Sequence, residues 1–264
     1  MGNESSISAT RGWVGESWRC YWPLLWRLLP IFLIVYVPCA ILSTCYSTFV
    51  LGDAESFAAL AKSYRFVRIL DNVIGILALT PIVLATRDWR NGRMGTWGGY
   101  VKQGFKLWGR LLVVNLLTGL LLWGLAILLL VPALIGYVYV LFACEAAILL
   151  NLSGGAAIRE SYRVIKGHWW ATVGYGLITG LITIGLMVVP VVMTECASGI
   201  VEVLIEDVEE LSNIGSMISF GLEVVGEWLC DLAVVFGDVS GVVWFLRLKN
   251  AKDSTPDEQG LAAS

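Results

Sequence analysis

The sequence predicts an all-α polytopic membrane protein, with six transmembrane helices arranged as three helical hairpins and with interfacial amphipathic helices. Three observations carry this prediction. Of 264 residues, 57% are hydrophobic and only 15% charged, and the mean hydropathy is +0.75, whereas a soluble domain carries about 25% charge. Apolar runs recur along the chain at the roughly 20-residue length that crosses a hydrocarbon layer. The positive charges, finally, collect on alternate links between those runs. A net charge of -3 is too small to argue for a nucleic-acid partner.

The apolar runs divide the chain in order. The first is Leu28 to Leu51, with Pro30 and Pro38 inside it, and the second is Phe66 to Thr86. The third, Leu111 to Val131, meets the fourth, Pro132 to Leu152, at a proline, which predicts a tight hairpin hinged there. The fifth is Trp169 to Met193 and the sixth Leu222 to Leu246. Residues 1–27 form a cytoplasmic N-terminal segment with an interfacial helix, 28–246 the transmembrane domain, and 247–264 a cytoplasmic disordered tail. The stretch through Trp18 has no apolar core ahead of a small-residue cleavage site, so no cleaved signal peptide is read.

Of the 18 Lys and Arg, all but Lys62, Arg65 and Arg68 fall in the N-terminal segment, the second-to-third and fourth-to-fifth links, or the tail. An even number of spans with this bias puts both termini in the cytoplasm of a cell with an inner membrane. The fifth-to-sixth link is acidic: Glu202, Glu206, Asp207, Glu209 and Glu210 alternate with Val203, Leu204, Val208 and Leu211. That spacing suits an amphipathic helix outside the bilayer, either as a solvated face or as a cation-attracting vestibule.

Six cysteines, none in a Cys-x-x-Cys pair, lie mostly in or beside apolar runs. They read as small buried hydrophobes rather than zinc ligands; a Cys45–Cys196 disulfide near one membrane face stays open. No metal or cofactor is expected. Phosphate-binding glycine loops, His-Glu-x-x-His and the nucleophile elbow are missing from the sequence, and every lysine lies outside the apolar runs, which excludes a retinal-type Schiff base.

Three segments ahead of odd-numbered runs are alike. Glu16-Ser17-Trp18-Arg19 matches Glu160-Ser161-Tyr162-Arg163, and Gln103-Gly104-Phe105-Lys106 is a weaker copy; each precedes tryptophan, namely Trp22 and Trp26, Trp108, then Trp169 and Trp170. The spacing from Gly104 to Pro132 nearly equals that from Ser161 to Pro190. We read three repeated units, each an interfacial helix followed by a hairpin. Tryptophan settles at the headgroup level while Arg and Lys reach anionic phosphates. Arg19, Lys106, Arg163, Lys166, Trp169 and Trp170 are therefore candidate lipid-headgroup contacts or simple anchors, and membrane lipids, anionic ones first, are the expected partners, alongside other membrane subunits or a second copy of the chain.

The stretch from Glu145 through Ala157-Ile158-Arg159-Glu160-Ser161-Tyr162-Arg163 to Lys166-Gly167-His168-Trp169-Trp170 resembles a broad bacterial and archaeal family of six-helix membrane proteins labelled "glycerophosphoryl diester phosphodiesterase membrane domain". The resemblance implies an α-helical bundle and carries no agreed activity. This chain departs by inserting several residues, Leu149 to Gly155, between Glu145 and the serine motif. The label is not chemistry: His168 is the single histidine, beside two tryptophans at a membrane boundary, and such a residue reads as a polar anchor rather than a base.

Acidic residues within a span are costly and therefore informative. The sixth run holds Glu227, Asp231 and Asp238, with Glu223 at its outer edge, all on one arc of the helix. Gly226, Cys230, Ala233, Gly237 and Gly241 flank them, and Val225, Leu229, Leu232, Val235, Val239 and Val243 form an opposite face expected to meet lipid. Thr172, Gly176 and Gly180 supply a small-residue ladder expected to allow close helix contact; Glu145, Glu195 and Asp71 are expected to meet the same interior. The acids are structural groups, a cation or proton pathway, or partners of Arg65 and Arg68. Two functions follow: a non-enzymatic membrane protein organising lipid or partner proteins through its basic, Trp-rich helices, or a transporter or channel for a small cation or proton, with Glu227, Asp231, Asp238 and Glu145 as its site. A water-accessible cavity reaching Asp231 would favour the second, a dry packed core the first.

Overall fold

The computed structural model describes residues 12–46, 71–205 and 212–254. Helix α1 spans Trp13–Cys45. A π-helical turn, Asp71–Gly75, runs into α2, Ile76–Arg90, and then follow α3, Trp97–Leu128, α4, Leu130–Val140, α5, Ala143–Leu149, α6, Gly155–Ile165, α7, Trp169–Ile205, and α8, Ser212–Asp253. No strand occurs among the described residues. Among the described residues, five stretches are long and apolar enough to cross a membrane: Trp13–Cys45, Trp97–Ile127, Leu130–Leu149, Trp169–Val201 and Ile214–Asp253. The described fold is all-helical, with the long apolar helices of a membrane-embedded protein. The expected second span begins at Phe66, outside the described residues; its described part is the π-helical turn Asp71–Gly75 continued by the 15 residues of α2.

Local chemistry explains the breaks. The Thr96 hydroxyl accepts from the Gly99 amide at 3.3 Å and starts α3. The hairpin turns at Leu129, which is extended at φ -168 and ψ 144, and not at Pro132. A proline continuing one helix would clash with the carbonyl four residues back, that of Leu128; the chain therefore opens earlier, and Pro132 sits in the first turn of α4, where its missing N–H is harmless. The Lys166-Gly167-His168 link closes α6 and opens α7. Gly167 takes φ +91, the His168 amide donates to the Ile165 carbonyl at 2.8 Å, and the His168 carbonyl accepts from the Thr172 amide and hydroxyl. Of the three expected interfacial helices, α6 alone is a separate element; the motifs near Glu16 and Gln103 lie inside α1 and α3.

Helix α8 is the axis of the bundle and packs most extensively against α7 and α1. Its half nearer Asp253 is enclosed: Val235, Phe236, Val239, Val242, Val243, Trp244 and Phe245 are all buried. The expected lipid face is therefore split. Val225 and Leu229 are exposed, but Val235, Val239 and Val243 are core, because helical periodicity identifies an apolar side without saying whether lipid or protein covers it. The expected close contact through Gly176 and Gly180 is absent, since nothing lies within 4 Å of a Cβ built on either. Helices α7 and α8 instead touch at Gly226, where a Cβ would meet the Thr194 side chain at 2.8 Å. Helix α7 runs on through Glu202 to Ile205; the remaining residues of the expected acidic helix, 206–211, lie outside those described. No disulfide joins any of the six cysteines, so the Cys45–Cys196 pairing is not formed.

Charged groups close the basic end. Glu16 Oε1 binds Arg90 Nε at 2.7 Å, and its Oε2 binds Arg247 Nη2 at 2.6 Å and Nε at 2.8 Å, tying α1 to α2 and α8. Glu160 takes Arg163 in a two-point pair at 2.8 and 2.7 Å. Arg110 reaches the Asn151 carbonyl at 3.1 Å and pins the inserted loop against α3. The Glu16 clamp is about four-fifths buried, so Glu16→Ala is expected to lower stability by about 2 kcal/mol, the scale of hydrogen bonds to charged groups. Thermal unfolding in detergent micelles, read by tryptophan fluorescence, checks this; an unchanged midpoint would show that the three helices hold without the clamp.

Candidate intramembrane carboxylate site

The acids of α8 meet different surroundings along the helix. Glu223 is exposed. Glu227 Oε2 accepts from the Thr44 hydroxyl of α1 at 3.2 Å. One turn further on, Asp231 lines a cavity of about 260 Å³ with Tyr36, Asn115 and Cys144, and Asp238 closes its far side. Asp238 also lines a second cavity of about 540 Å³, which it shares with Glu145, Thr172, Tyr175, Gly180 and Gly241. Seven residues separate Asp231 from Asp238, roughly 10 Å of helix rise, so the two cavities are stacked along α8 with Asp238 common to both.

Glu145 is the most enclosed of these acids, 9% exposed, in the first turn of α5. Its Oε1 lies 3.2 Å from where a Cβ would stand on Gly241, so a side chain there would crowd the carboxyl, and glycine leaves it room. Gly176, Gly180 and Gly237 withhold side chains from the same space. Small residues here make volume rather than helix contact. Tyr175 and Phe142 line the cavity 6.0 Å apart, and behind them Tyr175 stacks on Trp244 at 5.1 Å and 9° while Trp13 meets both edge-on. The Trp244 indole donates to the Thr172 hydroxyl at 3.5 Å.

Neither Glu145 nor Asp238 makes an ion pair or a side-chain hydrogen bond with another described residue. A carboxylate in a low-dielectric interior without a basic partner needs a proton or a mobile cation to balance it. Among the described residues no three metal-ligating side chains converge. Of the other acids expected here, Glu195 is exposed on α7, and the side chain of Asp71, like Arg65 and Arg68, lies outside the described residues.

The candidate headgroup contacts occupy the basic end. Arg19, Lys106 and Lys166 are exposed. Arg163 is partly buried and held by Glu160, whose carboxylate raises its pKa further above the ordinary arginine range; its charge is balanced within the protein. Trp170 is 79% exposed, while Trp169 packs edge-on against it at 4.6 Å and is partly buried. Burial and, secondarily, the Lys252 charge hold the His168 imidazole below its ordinary value, which favours its neutral form. Asn115, Tyr36 and Tyr175 were not singled out from the sequence. Asn115 carried a signal, being a lone amide in the apolar run of α3; the tyrosines carried none, since a span tyrosine reads equally as core. No protein-family model, curated protein or solved structure matches the chain.

A Cβ added at Gly180 meets nothing within 4 Å, so Gly180→Cys should fold normally and project into the larger cavity. Small hydrophilic methanethiosulfonate reagents are expected to label it at least tenfold faster than a cysteine placed at Val242, which is fully buried. Equal, slow labelling at both would show that water does not enter.

Proposed function

We propose that the protein is a transporter or channel for a proton or small cation, with Asp231, Asp238 and Glu145 as successive stations. The observation that carries this reading is Asp238 and Glu145 lining one cavity of about 540 Å³ with no counter-ion among the described residues. A carboxyl so placed exchanges a proton or cation with its neighbour at little cost, because no described basic side chain competes for the site. Asp238 borders both cavities and so serves as the hand-over point between Asp231 and Glu145. In this reading the chain has six spans, the second completed by residues from Phe66, and lies in the cytoplasmic (inner) membrane with both termini cytoplasmic. Membership of the six-helix family is proposed on the Ser161-Tyr162-Arg163 and Lys166-Gly167-His168-Trp169 residues alone.

A second reading, a non-enzymatic organiser of lipid or partner proteins, draws support from the exposed Trp22, Trp26 and Trp170 beside Arg19 and Lys166. Rings at that level anchor a bundle and gather anionic lipid whether or not it conducts.

In proteoliposomes, cation- or proton-dependent flux is expected to fall at least tenfold in Asp238→Asn and Glu145→Gln, with unfolding midpoints near that of the unsubstituted chain. Flux at background in the unsubstituted protein under proton, sodium and potassium gradients would overturn the transport reading and leave the organiser. For topology, reporters fused after Ser153 and Asp253 are expected to read cytoplasmic and one after Glu209 external. A cytoplasmic signal at Glu209 would overturn the six-span arrangement.

A further inference from the structure

We propose that the larger cavity is a binding site for a monovalent organic cation with an apolar body, entering sideways from the bilayer between α4 and α7. This deepens the transport reading by naming the substrate class, and it rests on that reading's uncompensated carboxyls. Size is the first argument. About 540 Å³ lies in the range of roughly 300–1,000 Å³ that holds drug-sized molecules, far more than a proton or a bare metal ion needs, whereas the cavity at Asp231, about 260 Å³, is much smaller.

The lining is the second argument. Aromatic faces from Tyr137, Phe142 and Tyr175 surround the two carboxyls, and rings with adjacent acids attract a cation through both quadrupole and charge. Glu145, nine-tenths buried and unpaired with any other described residue, lines that space. The mouth is the third. Its rim includes Tyr137 and Leu177, 54% and 65% exposed, on helices whose outward surfaces are apolar. A ligand that reaches the cavity there must first partition into hydrocarbon, and one retained there must balance negative charge. A protonated lipophilic amine or quaternary cation does both; a neutral lipid tail does only the first.

The probe is tetraphenylphosphonium, titrated into the full chain in detergent and followed by equilibrium dialysis. Saturable binding at one site is expected, weakened at least tenfold in Glu145→Gln and in Gly180→Leu, which fills the space without touching an acid, and unchanged in Glu195→Gln. Tetraphenylborate, similar in shape and opposite in charge, is expected not to compete. Absent saturable binding, equal binding by Glu145→Gln and the unsubstituted chain, or competition by tetraphenylborate would overturn the proposal, the last marking an apolar groove for lipid. Inorganic-cation or proton flux in proteoliposomes without phosphonium binding would remove this inference and keep the transport reading; phosphonium binding with no flux of any cation, phosphonium included, would keep the site and remove transport.

Discussion

A carboxylate enclosed by protein and hydrocarbon must be neutralised by something, and the ion pairs among the described residues all lie away from Glu145 and Asp238. Arg90 and Arg247 are held by Glu16, Arg163 by Glu160, and Lys249 by Asp253. These pairs stand at the end of the bundle where water and headgroups moderate the expense of desolvation. Glu145 and Asp238, on α5 and α8, have no cationic partner among the described residues. An ion pair built there would lock the interior; its absence leaves two negative positions that only a mobile species can balance.

The space around those positions is made by omission. Gly176, Gly180, Gly237 and Gly241 line it, and at Gly241 a single methyl group would press on Glu145. Small residues between membrane helices usually let backbones approach. Here the close approach happens at Gly226 against Thr194 instead, and the glycines nearer the basic end hold the helices around a void. The stacked Tyr175 and Trp244, with Trp13 and Phe142 beside them, form a wide aromatic cluster that keeps the void from collapsing.

Much of this was legible in the sequence, for physical reasons that also explain the failures. Span length is a strong signal because the hydrocarbon thickness imposes it, so the apolar runs that fall on α1, α3, α7 and α8 stand out. The acids of α8 were legible because an acid among valines has no neutral explanation. The turn at Leu129 was misplaced by three residues because proline constrains the residues before it, and a sequence shows the proline rather than the carbonyl it displaces. The lipid face of α8 was half wrong because lipid and protein interior select the same side chains. Tyr36 and Tyr175 joined the site through packing of distant segments, which no local pattern encodes, whereas Asn115, a lone amide in an apolar run, carried a legible signal that was not singled out.

The walls of the larger cavity are unequal, and the inequality suits a site that takes its ligand from one side. Helix α8 is fixed by the Glu16 clamp, by the Tyr21 hydroxyl donating to the Leu232 carbonyl at 3.0 Å, and by the aromatic cluster. Helix α4 is short, set apart by the extended Leu129 at one end and, at the other, by the turn where the Ser161 hydroxyl donates to the Tyr139 carbonyl and accepts from the Phe142 amide. Few contacts join α4 to α7, so the seam between them is the thin side of the cavity. Ser161 thus acquires a role beyond its place in a repeated motif: fully buried, it fixes the turn that presents Glu145. Its counterpart Ser17, equally buried, donates to the Trp13 carbonyl of its own helix at 2.9 Å. The two serines share a motif and a burial, and the one near Glu145 is the one that stitches two helices together.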